Sequence, residues 1–268
     1  ATRARRVAQA MPRHAVFGVG QGGGAGAGRG ARVLVYGDSL TAGFPDFEPY
    51  AKGLVAACAA EAQLAVRAVG CGLCGLTARD MARQSANRGL HDLCGRSGIG
   101  LRKLLEDESQ DEGPFDLVLV MAGTNDVLSE SWASAAIVED IQRLHTACHE
   151  LGARTVAMAM PDFAGATASP DRRAAWAEAN RLLEEWVHEA SAPLVVAFVD
   201  SPALMPFDGG AFWEPDGVHW TTEGSAFFGA AVSRQLLPKL RALVDPASPE
   251  HTVGAAVVAP PPATEGGA

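Results

Sequence analysis

The chain has 268 residues, 48% of them apolar, and a net charge of −9 at neutral pH. That excess of acid, with no basic cluster in the central part, opposes a nucleic-acid or anionic-lipid partner. The longest apolar runs are strand-length, far short of the ~20 residues that span a bilayer, so no integral membrane segment is expected.

Residues 1–30 carry five arginines and no acid, and end in a Gly/Ala-rich stretch. Such a segment buries too little apolar surface to offset its chain entropy. It reads as a disordered leader, compatible with an organelle-targeting peptide. The domain proper is expected over 31–243, and the Pro/Ala/Gly-rich residues 244–268 as a second disordered tail.

Within the domain, strand-like runs occur at Val33–Tyr36, Ala65–Val69, Leu117–Ala122, Thr155–Met160 and Leu194–Val199. They are apolar on consecutive positions, as strands covered on both faces of a parallel sheet must be. Helical patterns lie between them. The clearest runs from about Trp132 to Leu151, with Ile137, Ile141, Leu144, Cys148 and Leu151 on one face and Gly152 as a stop. Five strands alternating with helices predict a three-layer α/β/α domain with a five-stranded parallel sheet.

Four short blocks follow this framework in order. Gly37-Asp38-Ser39-Leu40 follows the first run, and Cys71-Gly72-Leu73-Cys74-Gly75-Leu76-Thr77 the second. Gly123-Thr124-Asn125-Asp126 follows the third, and Asp216-Gly217-Val218-His219 lies near the C-terminus. Ligands of such sheets bind beyond the carboxyl ends of the strands, so Ser39, Gly75 and Asn125 should gather at one edge. They supply a nucleophile, oxyanion donors and an acid-oriented base, the parts needed for acyl transfer through a serine.

These blocks resemble those of the SGNH hydrolases, also called GDSL-type esterases and lipases. The resemblance covers about residues 31 to 243 and implies a flavodoxin-like fold. It matches Ser39, Gly75, Asn125 and His219 to the family's active-site serine, glycine, asparagine and histidine, and implies a serine esterase needing no metal or organic cofactor. Ser39 is then the nucleophile, His219 the general base and Asp216 its orienter. The oxyanion hole comprises the Ser39 N–H, the Gly75 N–H and the Asn125 amide. The order Ser, Asp, His with the last two nearly adjacent, and the lack of a G-x-S-x-G elbow, set the chain apart from α/β-hydrolases. The expected substrate is a small-molecule ester, short-chain or acetyl, because no long hydrophobic lid segment is present.

The competing readings are structural or belong to other classes. Ser39 could cap a helix, Gly75 could be a turn glycine and Asn125 an Asx-turn residue. An acyltransferase would use the same triad with an alcohol acceptor, and a binding domain could keep the fold without turnover. Cys71 and Cys74 have redox or zinc spacing; without further ligands they read as small residues of a tight turn. Asp38 and Asp126 are expected to brace loops through backbone hydrogen bonds. His145 and His149, at i and i+4, read as a solvated helix face, and the acidic run at Glu106–Glu112 as a solvated helix end. Phe44, Phe47, Tyr50, Phe212, Trp213 and Trp220 either line a pocket or pack in the core. Gln84–Gly98 is expected as a loop over the site.

Overall fold

The apolar runs become the middle of a sheet. In the computed structural model, which describes residues 14–20, 30–129, 133–189 and 194–245, the chain begins with β1 (Val16–Gly20) and β2 (Ala31–Gly37). The one-turn helix α1 (Ser39–Ala42) and α2 (Ala51–Ala62) lead to β3 (Val66–Gly72). Then come α3 (Ala78–Arg83), a small hairpin of β4 (Leu90–His91) and β5 (Ser97–Gly98), α4 (Leu101–Glu112) and β6 (Leu117–Met121). Helices α5 (Thr124–Leu128) and α6 (Ser134–His149) precede β7 (Thr155–Met158). A 3₁₀ turn at Ala164–Thr167, α7 (Pro170–His188), β8 (Val195–Val199), α8 (Ser201–Leu204) and α9 (Thr222–Val244) follow.

The six-stranded sheet has the order β1-β3-β2-β6-β7-β8, all neighbours parallel except β1, which runs antiparallel to β3. Every residue of β2 and β6 is buried; α2 and α9 cover one face of the sheet and α6 and α7 the other, with α4 packed against α6. This is the expected three-layer α/β/α fold, with one strand more than the five expected.

The extra strand lies within the stretch read as a disordered leader, which is a correction to that reading. Phe17 pairs directly with Gly70, and a Cβ on Gly70 would stand 2.2 Å from the Phe17 ring. The aromatic ring therefore fills the space a side chain would have used, anchoring a glycine-rich edge strand. Ala15 extends the attachment, donating to Ser97 O and accepting from Gly72 N. The rest of the expected leader and the tail beyond Asp245 lie outside the described residues.

The expected helix at Trp132–Leu151 is α6, with Ile137, Ile141, Leu144 and Cys148 buried. Leu151 falls beyond its end and is 37% exposed. The acidic run forms the last turns of α4, where Glu108 takes a 2.8 Å ion pair from Arg32 and Glu112 pairs with Arg67.

His145 and His149 do not form a solvated face. His145 is fully buried; its Nδ1 lies 2.7 Å from Thr155 Oγ1, and His149 Nε2 lies 2.9 Å from the same oxygen. The Trp186 ring of α7 packs on His145 at 5.1 Å. Burial, with a smaller contribution from His149, pushes the His145 imidazole down to about 3. On acidification the unfolded chain takes this proton near pH 6.5 while the folded one refuses it, so stability drains away between about pH 6.5 and 3. Asp38 and Asp126, pushed up to about 6 mainly by burial, act in the opposite sense over the same window. Comparison with a His145→Leu variant cancels that opposition. In urea melts the wild type should lose about 2 kcal/mol more than the variant between pH 7 and pH 5; parallel losses would show that His145 carries no such cost.

Candidate active site

The registers of three neighbouring strands bring the sequence blocks together. Gly37 at the end of β2 pairs with Gly72 on β3 and with Met121 on β6. Ser39, Gly75 and Asn125 leave the sheet two, three and four residues beyond these level positions. Adjacent strands are ~4.8 Å apart, so the three blocks emerge side by side at the carboxyl edge.

Ser39 is the first residue of α1 rather than its cap. The cap is Asp38, whose Oδ1 accepts from Leu40 N at 3.0 Å. Ser39 Oγ lies 2.8 Å from His219 Nε2, and His219 Nδ1 lies 2.8 Å from Asp216 Oδ2. An ionised carboxylate can only accept, so Nδ1 carries the proton and neutral His219 presents Nε2 as acceptor to the Ser39 hydroxyl. That is the tautomer a general base needs.

The Asp216–His219 loop is fixed locally. Asp216 Oδ1 accepts from the amides of Val218 (2.9 Å) and His219 (3.0 Å), while Gly217 O accepts from Ala164 N at 2.8 Å. Partial burial works to raise the Asp216 carboxyl, but the hydrogen bonds from the His219 amide, the His219 ring and the Val218 amide outweigh it. The group is held below its ordinary value and is ionised at neutral pH. Phe44 packs against the His219 ring at 4.7 Å, edge to face.

Gly75 has φ +78°, a left-handed conformation that side chains rarely adopt. Asn125 donates from Nδ2 to Leu76 O at 2.9 Å, which ties the third block to the second and leaves one amide proton for another acceptor. Asp126 braces the same junction, its Oδ2 accepting from Ala78 N at 2.8 Å. Both buried aspartates thus make the backbone hydrogen bonds expected of them.

The aromatics divide. Tyr50, Trp213 and Trp220 belong to the core. Phe44 is half-buried beside His219, the half-buried Phe47 packs edge to face on Phe44 at 5.8 Å, and Phe212 is stacked on Phe227 at the surface.

Cys71 and Cys74 do not act as a unit. Cys71 Sγ faces Ile99 O at 3.7 Å, whereas Cys74 Sγ faces Arg96 Nη2 at 3.2 Å. Burial pushes the Cys71 thiol up to about 12 and raises Cys74 as well, which disfavours the reactive thiolate.

The expected loop at Gln84–Gly98 contains the β4–β5 hairpin, and residues there that sequence reading did not single out touch the second block. Asp92 and Arg96 form a buried ion pair at 2.7 Å. Their one sequence signal was turn chemistry around Gly95, where the Gly95 amide bonds to Asp92 O at 2.9 Å.

The model of the GDSL-like lipase/acylhydrolase family matches residues 35–227. Several solved structures share the fold. The lipase/acylhydrolase from Enterococcus faecalis has a TM-score of 0.56 and 22% identity, covering 78% of this chain and 96% of its own. The M. smegmatis aryl esterase has a TM-score of 0.56 and 18% identity over 78% and 99%. The Clostridium thermocellum family 3 carbohydrate esterase has a TM-score of 0.57 and 15% identity over 81% and 100%. No curated protein matches by sequence. Among the described residues, no helix is long and apolar enough to cross a membrane.

Proposed function

We propose that this chain, which belongs to the GDSL-like lipase/acylhydrolase family, hydrolyses carboxylic esters by way of an acyl-enzyme on Ser39. The observation that carries the reading is the unbroken series Ser39 Oγ to His219 Nε2 to Asp216, each link 2.8 Å. Ser39 Oγ attacks the ester carbonyl carbon as Nε2 takes the hydroxyl proton, and the imidazolium so formed is stabilised by Asp216. The oxyanion is received by the N–H groups of Ser39 and Gly75 and the free amide proton of Asn125. Collapse breaks the bond to the alcohol, which leaves with the proton from Nε2. Water then attacks the acyl-enzyme with His219 again as base, releasing the acid and regenerating Ser39.

The substrate class we favour is a short-chain or acetyl ester. The sequence carries no long hydrophobic lid segment that would cover an extended acyl chain, and the half-buried Phe44 stands beside His219.

The test is titration with diethyl p-nitrophenyl phosphate during turnover of p-nitrophenyl acetate, butyrate and octanoate. One equivalent should abolish activity, peptide mass analysis should place the diethylphosphoryl group on Ser39, and rates should fall from acetate to octanoate. A label on any other residue accompanying the loss of activity would overturn the assignment, and a maximum at octanoate would overturn the substrate class.

A further inference from the structure

Leu93 is 81% exposed although it lies between the buried residues Asp92 and, three positions on, Arg96. A single exposed leucine is ordinary on a protein surface. This one lies against Gly75: a Cβ on that glycine would stand 2.3 Å from Leu93 Cδ1 and 2.6 Å from Cγ. Its backbone is tethered to the same block, Leu93 N donating to Cys74 O at 2.9 Å.

The turn that presents it is held by groups drawn out of water. Asp92 Oδ1 accepts from the amides of Cys94 (3.0 Å) and Arg96 (2.8 Å), and Oδ2 accepts from Cys74 N (3.3 Å) and Arg96 Nε (2.8 Å). Arg96 Nη2 donates to Gly72 O at 2.5 Å, and its guanidinium lies 4.2 Å above the Phe47 ring. A buried ion pair is costly to desolvate unless its hydrogen bonds are satisfied. Here they are satisfied partly within the turn and partly by Gly72 O, Cys74 N and Cys74 Sγ, so the hairpin and the glycine loop are fastened to each other. The backbone that carries the leucine is thereby fixed in place, so little backbone entropy is lost when a ligand covers its side chain.

We propose that Leu93 is a specificity-determining residue that contacts the apolar substituent of the ester, with Asp92 and Arg96 as the positioning residues that hold it over Gly75. The inference rests on the reading of Gly75 as an oxyanion donor. An ester oxygen ~3 Å from the Gly75 N–H has its carbonyl substituents only one or two bonds farther away, within reach of the leucine methyls. The acyl chain and the alcohol both carry such apolar carbon, and the two are separable by experiment.

The test measures kcat/KM for wild type, Leu93→Ala and Leu93→Met along an acyl series (p-nitrophenyl acetate, butyrate) and an alcohol series (methyl acetate, phenyl acetate). Leu93→Ala is expected to lower either the butyrate-to-acetate or the phenyl-to-methyl ratio about tenfold, chiefly through KM. The smaller ester of that series should stay within about threefold of wild type, and Leu93→Met should restore most of the ratio. A fall in the first ratio assigns the contact to the acyl side and a fall in the second to the alcohol side. Ratios within twofold of wild type, or a rise, would overturn the proposal. Turnover by the wild type separates this failure from failure of the esterase reading, and an unchanged melting temperature is expected because the side chain is exposed.

Discussion

Ser39→Ala is expected to lower kcat/KM for p-nitrophenyl acetate by about 10⁴-fold or more, equivalent to about 5.5 kcal/mol of transition-state stabilisation. The substitution removes one oxygen and leaves the rest of the site standing. Asp38 still caps α1 by accepting from Leu40 N, and the His219–Asp216 pair does not depend on the serine for its bonds to the Val218 and His219 amides. The folded state should therefore persist, with its circular dichroism and melting temperature close to wild type. What is lost is the one hydroxyl within 2.8 Å of the base. The residual rate should be that of the oxyanion donors and binding alone, acting on water. Equal rates in variant and wild type would remove Ser39 from the mechanism.

His219→Ala is expected to cost about as much, ~10⁴-fold, and the double variant Ser39→Ala/His219→Ala to be no slower than either single one. A serine hydroxyl is protonated at neutral pH and is a poor nucleophile without a base, so removing either partner silences the same step and the losses do not add. Phosphorylation of Ser39 by diethyl p-nitrophenyl phosphate should fall with it. Additive losses, near 10⁸-fold in the double variant, would mean the two residues act in separate steps.

Much of the site was legible from residue order. Strands buried on both faces are apolar at successive positions, so β2, β6 and β7 show in the sequence without ambiguity, and the blocks that follow them must lie at one sheet edge. The Asp216–His219 pair is local, spaced for a single loop, and its hydrogen bond needs nothing remote. Strand β1 was hidden because Val16–Gly20 contains two glycines, and its pairing depends on the Phe17 ring seated over Gly70, far along the chain. The burial of His145 carried a signal that went unread: it is four residues after Ile141 and three before Cys148, both on the buried face of α6.

By itself, then, the sequence determined the succession of the five parallel strands with helices between them, the layer architecture those apolar runs demand, and the spacing that sets Asp216 beside His219. Each depends on side-chain type and on spacing along the chain. Only the tertiary structure decided the sixth strand, the burial of His145 against Thr155 and Trp186, the division of the aromatics between core and rim, and the clasp of Asp92 and Arg96 that sets Leu93 over Gly75. These arise from contacts between segments distant in sequence, where the energy of burial and the satisfaction of buried polar groups choose the partner, and local pattern carries no record of that choice.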